Sequence, residues 1–149
     1  MARNANVVGL REDKNMDMEI TFPGGKKVNA TYKGFTIRTD QPPHRGGAGS
    51  APSPFDLFLA SLATCAGFYV LSFCHERAIP TDNIKLVQTM ERDSEKGMVR
   101  KIEIEIQLPP SFPEKYKQAV VKAAQLCTVE KHLEAPPHIE IRTTVLSSD

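Results

Sequence analysis

The chain has 149 residues, the length of one domain with a hydrophobic core of its own. Its net charge is +1 at pH 7, only 7% of its residues are aromatic, and it has no tryptophan, so it carries neither the basic footprint nor the stacking platform of a nucleic-acid binder. Three cysteines are too few for a disulfide scaffold.

The opening stretch MARNANVVGLREDKN has no apolar h-region, so a cytoplasmic location with reduced thiols is expected. MDMEITF (16–22) then alternates Met16, Met18, Ile20 and Phe22 with polar residues, which predicts a strand. Pro23-Gly24-Gly25 marks a turn, and KKVNATY (26–32) repeats the alternation with Val28, Ala30 and Tyr32. Lys33-Gly34 marks a second turn before a short third strand, FTIR (35–38).

DQPPHRGGAGSAPSP (40–54) is rich in proline and glycine and reads as a long loop. A long loop inside a compact domain is often functional. Ser53 is placed to cap the next helix, with Pro54 at its first position and Asp56 in its first turn. That helix, about 54–77, contains LFLASLATCAGFYVLSFC, from Leu57 to Cys74 without a formal charge. A membrane span needs about 20 predominantly apolar residues. This run is shorter, rich in small residues, and has no second apolar run for company. The expectation is therefore a helix buried on nearly every side, not a membrane segment.

IKLVQTMERD (84–93) and MVRKIEIEIQL (98–108) read as strands joined at Glu95-Lys96-Gly97. In the second of them Ile102, Ile104, Ile106 and Leu108 face one way and the charged residues the other. Pro109-Pro110-Ser111 introduces a second helix, FPEKYKQAVVKAAQLC (112–127), with Cys127 on its apolar stripe near the C-terminal end. TVEKHLEA continues as a short helix or turn, and HIEIRTTVL (138–146) alternates as a last strand. The order β-β-β-α-β-β-α-β predicts one α+β domain, residues 1–149, with antiparallel strands.

Cys65, in the middle of the long helix, and Cys127 are the chemical candidates, each equally at home as a small buried hydrophobe. Redox work requires a thiolate, and Cys65 lies too deep in its helix for the N-terminal dipole to supply one. Arg45 in the GGAG loop or Arg38 at the end of the third strand could lower its pKa, and Asp56 could orient such an arginine. Each of the three reads alone as a solvated charge or a helix-start carboxylate. Cys127, near a helix C-terminus, suits a resolving role better than an attacking one. Cys74 falls on the opposite face from Cys65 and reads as packing. There is no CxxC, HxH or HExxH pair, so a metal site built from Cys65, Cys127, His75 or His132 is not the expectation, and no GxSxG, Walker or Rossmann pattern occurs.

DQPPHRGGAGSAPSPFDLFLASLATC and the later LCTVEKHLEAPPHIEI together resemble the OsmC/Ohr family, most closely its YhfA-like branch. In that family a Pro/Gly-rich loop leads into a helix of the form P-x-[E/D]-L-[L/F]-x-A-[A/S]-x-x-x-C, and a second helix delivers C-P-V before a final strand. Pro54, Asp56, Leu57, Phe58, Ala60, Ser61 and Cys65 match the first pattern; Cys127 and Val129 match the second.

The resemblance implies an intertwined homodimer, with sheets around central helices and active sites at the subunit interface. It implies a thiol-dependent peroxidase acting on organic hydroperoxides or hydrogen peroxide, in which Cys65 attacks and Cys127 resolves. An external dithiol, in the family sometimes a lipoyl protein, would close the cycle, with no metal or bound organic cofactor. A thiol sensor or a binder of hydrophobic small molecules is the alternative within the same family. The chain departs from the family pattern twice. The peroxidase branches begin the helix Asn-Pro-Glu, where this chain has Phe55 after Pro54, followed by Asp56. The proline of C-P-V is Thr128 here.

Overall fold

The computed structural model describes residues 17–147 as two compact units that meet in sequence at Phe55 and Asp56. Met16 of the first expected strand and the N-terminal stretch read for targeting lie outside the described residues.

The first unit is a three-stranded antiparallel sheet of β1 (Glu19–Gly24), β2 (Lys27–Tyr32) and β3 (Phe35–Thr39), in that order. Ile20 stands opposite Ala30, which stands opposite Ile37; the neighbouring row is Thr21, Asn29 and Arg38. Because side chains alternate across a strand, this register gives one apolar face and one polar face, and Arg38 is on the polar one. Lys33 and Gly34 both have positive φ, 49° and 80°, the backbone of a two-residue hairpin whose twist matches that of its strands.

The loop after β3 is folded around Asp40, which is 1% exposed. Its carboxylate accepts hydrogen bonds from the Gln41 amide at 2.8 Å, the Ser50 amide at 3.0 Å and the Ser50 hydroxyl at 2.7 Å. These bonds favour the ionised form and lower its pKa from 3.8 to about 2, with the Ser50 amide the largest cause. The backbone closes the loop as well: Asp40 N–H donates to Pro52 O and Gly49 N–H to Gln41 O. Gly47 crosses Gln41 so closely that a Cβ there would overlap the Gln41 carbonyl oxygen.

The second unit is built on α1 (Pro54–His75). Its inner face carries Leu59, Leu62, Ala66, Val70, Phe73 and Cys74, all buried. Val70, Phe73 and Cys74 pack with Phe112 and Val120 against Ile84, Leu86, Ile106 and Leu108. The last four come from the flanks and strands of a hairpin, β4 (Lys85–Arg92) and β5 (Val99–Gln107). Leu86 stands opposite Ile106, and Met90 opposite Ile102, so the alternation read in the sequence becomes the wall of the core. The hydroxyls of Ser61 and Thr64 donate to Phe58 O and Ala60 O within α1, which lets polar residues sit in an apolar helix. Cys74 is fully buried in this cluster, and burial raises its pKa.

Three expectations change in the structure. The helix expected over 112–127 is a 3-10 turn followed by α2 (Lys117–Ala124), and a separate α3 (Thr128–Glu134) follows. The first ends at Ala124 with Gln125 as its cap, and Cys127 caps the second, because its sulfur takes the Glu130 amide and its backbone leaves the helical region (φ −47°, ψ 118°). The alternating segment 138–146 forms no ladder among the described residues. Its apolar side chains remain open, with Ile141 at 93% and Val145 at 94% exposed. Alternation gives a strand one apolar face, but a strand is stable only beside another edge.

Third, α1 is not buried all round: Ala60, Thr64, Phe68, Leu71 and His75 form an exposed stripe at helical spacing. It is long and apolar enough to cross a membrane, although its inner face is already packed against the hairpin and α2.

Candidate active site

Cys65, in the middle of α1, and Cys127, at the start of α3, come together within the second unit. Cys65 points from the middle of α1 and is partly exposed. Cys127 is 1% exposed. Its sulfur donates weakly to the Leu62 carbonyl at 3.9 Å and accepts from the Glu130 amide at 3.5 Å. Those two contacts fix the sulfur between one turn of α1 and the first turn of α3.

The surroundings push the two thiols in opposite directions. The backbone amide of Val129 is the strongest influence on Cys65, and with the Cys127 thiol and the Thr128 amide it holds the Cys65 pKa below its ordinary value despite some burial. For Cys127 burial dominates and raises the pKa; the neighbouring Cys65 raises it further, against the Glu130 and Val129 amides. Hydrogen bonds to the charged form favour ionisation, and desolvation opposes it. The pair therefore consists of one thiolate-prone, accessible sulfur and one buried, protonated sulfur within hydrogen-bonding reach.

Cys65 and Cys127 both fall in a segment, residues 47–142, that matches the family model described as OsmC-like protein. The chain belongs to the OsmC-like family. No curated protein matches it. Its fold is similar to that of a protein assigned to the osmotic-stress and detoxification response of Psychrobacter arcticus, at 24% identity and a TM-score of 0.66, over 76% of this chain and 85% of that one. An OsmC-like protein from Mycoplasma pneumoniae aligns at 18% identity and a TM-score of 0.63, over 83% and 90% of the two chains. OsmC of Legionella pneumophila, described as an organic hydroperoxide resistance protein, aligns at 17% identity and a TM-score of 0.51, over 80% and 88%. These likenesses establish a mixed α+β OsmC fold with antiparallel sheets.

Within this OsmC-like chain the other expected site residues are placed as follows. Arg38, on the polar face of the first sheet, and Arg45, at the end of the 3-10 turn Pro43–Arg45, are both exposed. Asp56 is in the first turn of α1. No three His, Cys, Asp or Glu side chains converge to hold a metal among the described residues. A cleft of about 400 Å³ in the second unit is lined by Arg77, Ile79, Pro109, Phe112 and Tyr116, and by neither cysteine of the pair.

The spacing of the sequence did not disclose the backbone amides of Thr128 and Val129 as partners of Cys65. The available signal was Cys127-x-x-Glu130, a side-chain acceptor followed three residues later by glutamate, which is the pattern of a helix start. It would have moved Cys127 from the end of one helix to the beginning of the next.

Proposed function

We propose that the protein is a two-cysteine peroxidase that reduces organic hydroperoxides, with Cys65 as the attacking thiolate and Cys127 as the resolving thiol. The observation that carries this reading is the placement of a partly exposed Cys65 beside a buried Cys127 whose sulfur is held at the Leu62 carbonyl, one turn before Cys65; the opposite directions in which their surroundings push the two thiols agree with it. Paired titratable groups whose surroundings drive their pKa values apart take different roles in a reaction.

The Cys65 thiolate displaces alkoxide from the terminal oxygen of the peroxide, and the O–O bond breaks. A proton completes the alcohol, and the sulfur is left as sulfenic acid. The Cys127 sulfur then attacks the Cys65 sulfur; its proton and the departing hydroxide leave as water, and a disulfide remains. An external dithiol, for which a lipoyl group has the right chemistry, reduces that disulfide through a mixed disulfide and is itself oxidised to a cyclic disulfide. The amides of Val129 and Thr128 serve the first step by stabilising negative charge on sulfur. Of the three charged candidates, Arg45 and Asp56 are proposed to assist it, while Arg38 lies on the polar face of the first sheet. The relation to a hydroperoxide resistance protein of the same fold supports the choice of oxidant.

The working unit is proposed to be a homodimer. The exposed stripe of α1 and the alternating segment 138–146, unpaired among the described residues, are apolar surfaces of a kind that a second copy would cover. The reading is tested by treating the reduced protein with one equivalent of cumene hydroperoxide and mapping its thiols by mass spectrometry. A Cys65–Cys127 disulfide is expected. Free Cys127 together with unmodified Cys65 would reject the reading.

A further inference from the structure

Tyr69 lies one turn beyond Cys65 on α1, so the two side chains share a helix face. Its phenol oxygen is 3.0 Å from the Thr128 hydroxyl. Thr128 is the residue between Cys127, whose sulfur contacts Leu62 O on α1, and Val129. The segment Cys127-Thr128-Val129 is thus tied to α1 on both sides of Cys65: by Cys127 at Leu62 and by Thr128 at Tyr69. The first tie is a weak sulfur contact at 3.9 Å, and the second is an ordinary oxygen–oxygen hydrogen bond.

We propose that Tyr69 and Thr128 are positioning residues whose hydrogen bond holds the 127–129 backbone against Cys65, so that two amides rather than one are directed at its sulfur. Proline has no backbone N–H, so a proline at position 128 would offer Cys65 only the Val129 amide and would leave Tyr69 without its partner. Threonine supplies both the second amide and the hydroxyl. The lowered Cys65 pKa, to which the Val129 and Thr128 amides both contribute, agrees with this arrangement. The inference rests on Cys65 acting as a thiolate, which the proposed function also requires, but not on the identity of the oxidant.

The test is the pH profile of Cys65 alkylation by iodoacetamide, read by mass spectrometry of the Cys65 peptide in the reduced, full-length protein. Tyr69→Phe removes only the phenol oxygen, and Thr128→Val removes only the hydroxyl at nearly constant shape. Both are expected to move the midpoint of the profile to higher pH and to slow alkylation below the midpoint by about two- to tenfold, the range for one lost hydrogen bond. Thr128→Ser is expected to restore the parent profile, and Thr128→Pro to shift it at least as far as Thr128→Val. A merely structural role for the pair would lower the unfolding temperature and leave the midpoint in place. Midpoints unchanged in both Tyr69→Phe and Thr128→Val would overturn the proposal. If the midpoints move as expected and peroxide does not oxidise Cys65 rapidly, the positioning role stands and the peroxidase reading falls.

Discussion

Cys127 donates toward the carbonyl of Leu62, and Leu62 lies one turn before Cys65 on the same helix. The Cys127 sulfur is therefore held against the helix that carries Cys65. Substitution of Cys127 separates its two proposed duties. Cys127→Ala removes a neighbouring thiol that favours the charged form of Cys65 and is expected to raise the Cys65 pKa, visible as a thiolate absorbance that develops at higher pH. The same variant cannot form the disulfide, so peroxide should leave Cys65 as a sulfenic acid that dimedone traps stoichiometrically. An unchanged titration of Cys65 would remove Cys127 from its stabilisation.

The two arginines are distinguished by the sheet register. Arg38 shares the polar face of β1–β3 with Thr21 and Asn29, a face suited to water. Arg45 ends a 3-10 turn in the loop that the family pattern places before the cysteine helix. Arg45→Ala is expected to slow Cys65 oxidation by peroxide on the order of a hundredfold, the loss usual for one group that stabilises developing charge. Arg38→Ala should have little effect. Equal rates for Arg45→Ala and the parent protein would exclude Arg45 from the first step.

The loop that holds Arg45 should be sensitive to acid. Asp40 has a folded pKa of about 2 against 3.8 when free, so its contribution to stability is complete above about pH 4 and disappears as pH falls through about 2. Denaturant midpoints measured across this window should fall more steeply for the parent than for Asp40→Asn, which has no carboxylate to protonate. Parallel curves would count against the Asp40 staple. Gly47→Ala tests the same loop from the backbone side. A methyl group there would collide with the Gln41 carbonyl, and a loss of about 1–3 kcal/mol is expected, as for other overpacked sites. Equal stability would show that the loop opens without penalty.

Much of this architecture was legible in the residues. The β4 and β5 ladder follows the alternation of Ile102, Ile104 and Ile106, and the Lys33-Gly34 turn follows from a two-residue link between alternating segments. Cys74 was legible as packing because it lies opposite Cys65 on one helix, and it sits at the centre of the core. The break between α2 and α3 was missed, because Ala123, Ala124 and Cys127 continue a helical stripe that outweighs the helix-start signal of Cys127-x-x-Glu130, whose capping bond is made to sulfur. The exposed stripe of α1 was hidden for a different reason. Hydropathy reports that a side chain is apolar, and whether its own chain or a second one covers it is settled by packing.

That stripe yields its own prediction. Phe68, at the centre of the stripe, is 61% exposed. If a second copy covers it, light scattering should give twice the chain mass for the parent protein. Phe68→Asp, which would place a charge in that contact, should give the mass of a single chain with the far-UV spectrum preserved. A monomeric parent protein would contradict the dimer.

The central claim is that Cys65 is an activated peroxidatic thiolate. Stopped-flow mixing of reduced protein with cumene hydroperoxide, for the parent and for Cys65→Ser, tests it most directly. The account predicts stoichiometric oxidation of the parent at least a thousandfold faster than an unactivated thiol, of the order that positioned donors supply to a developing charge, and no such phase in Cys65→Ser. Oxidation of the parent no faster than that of free cysteine would contradict it.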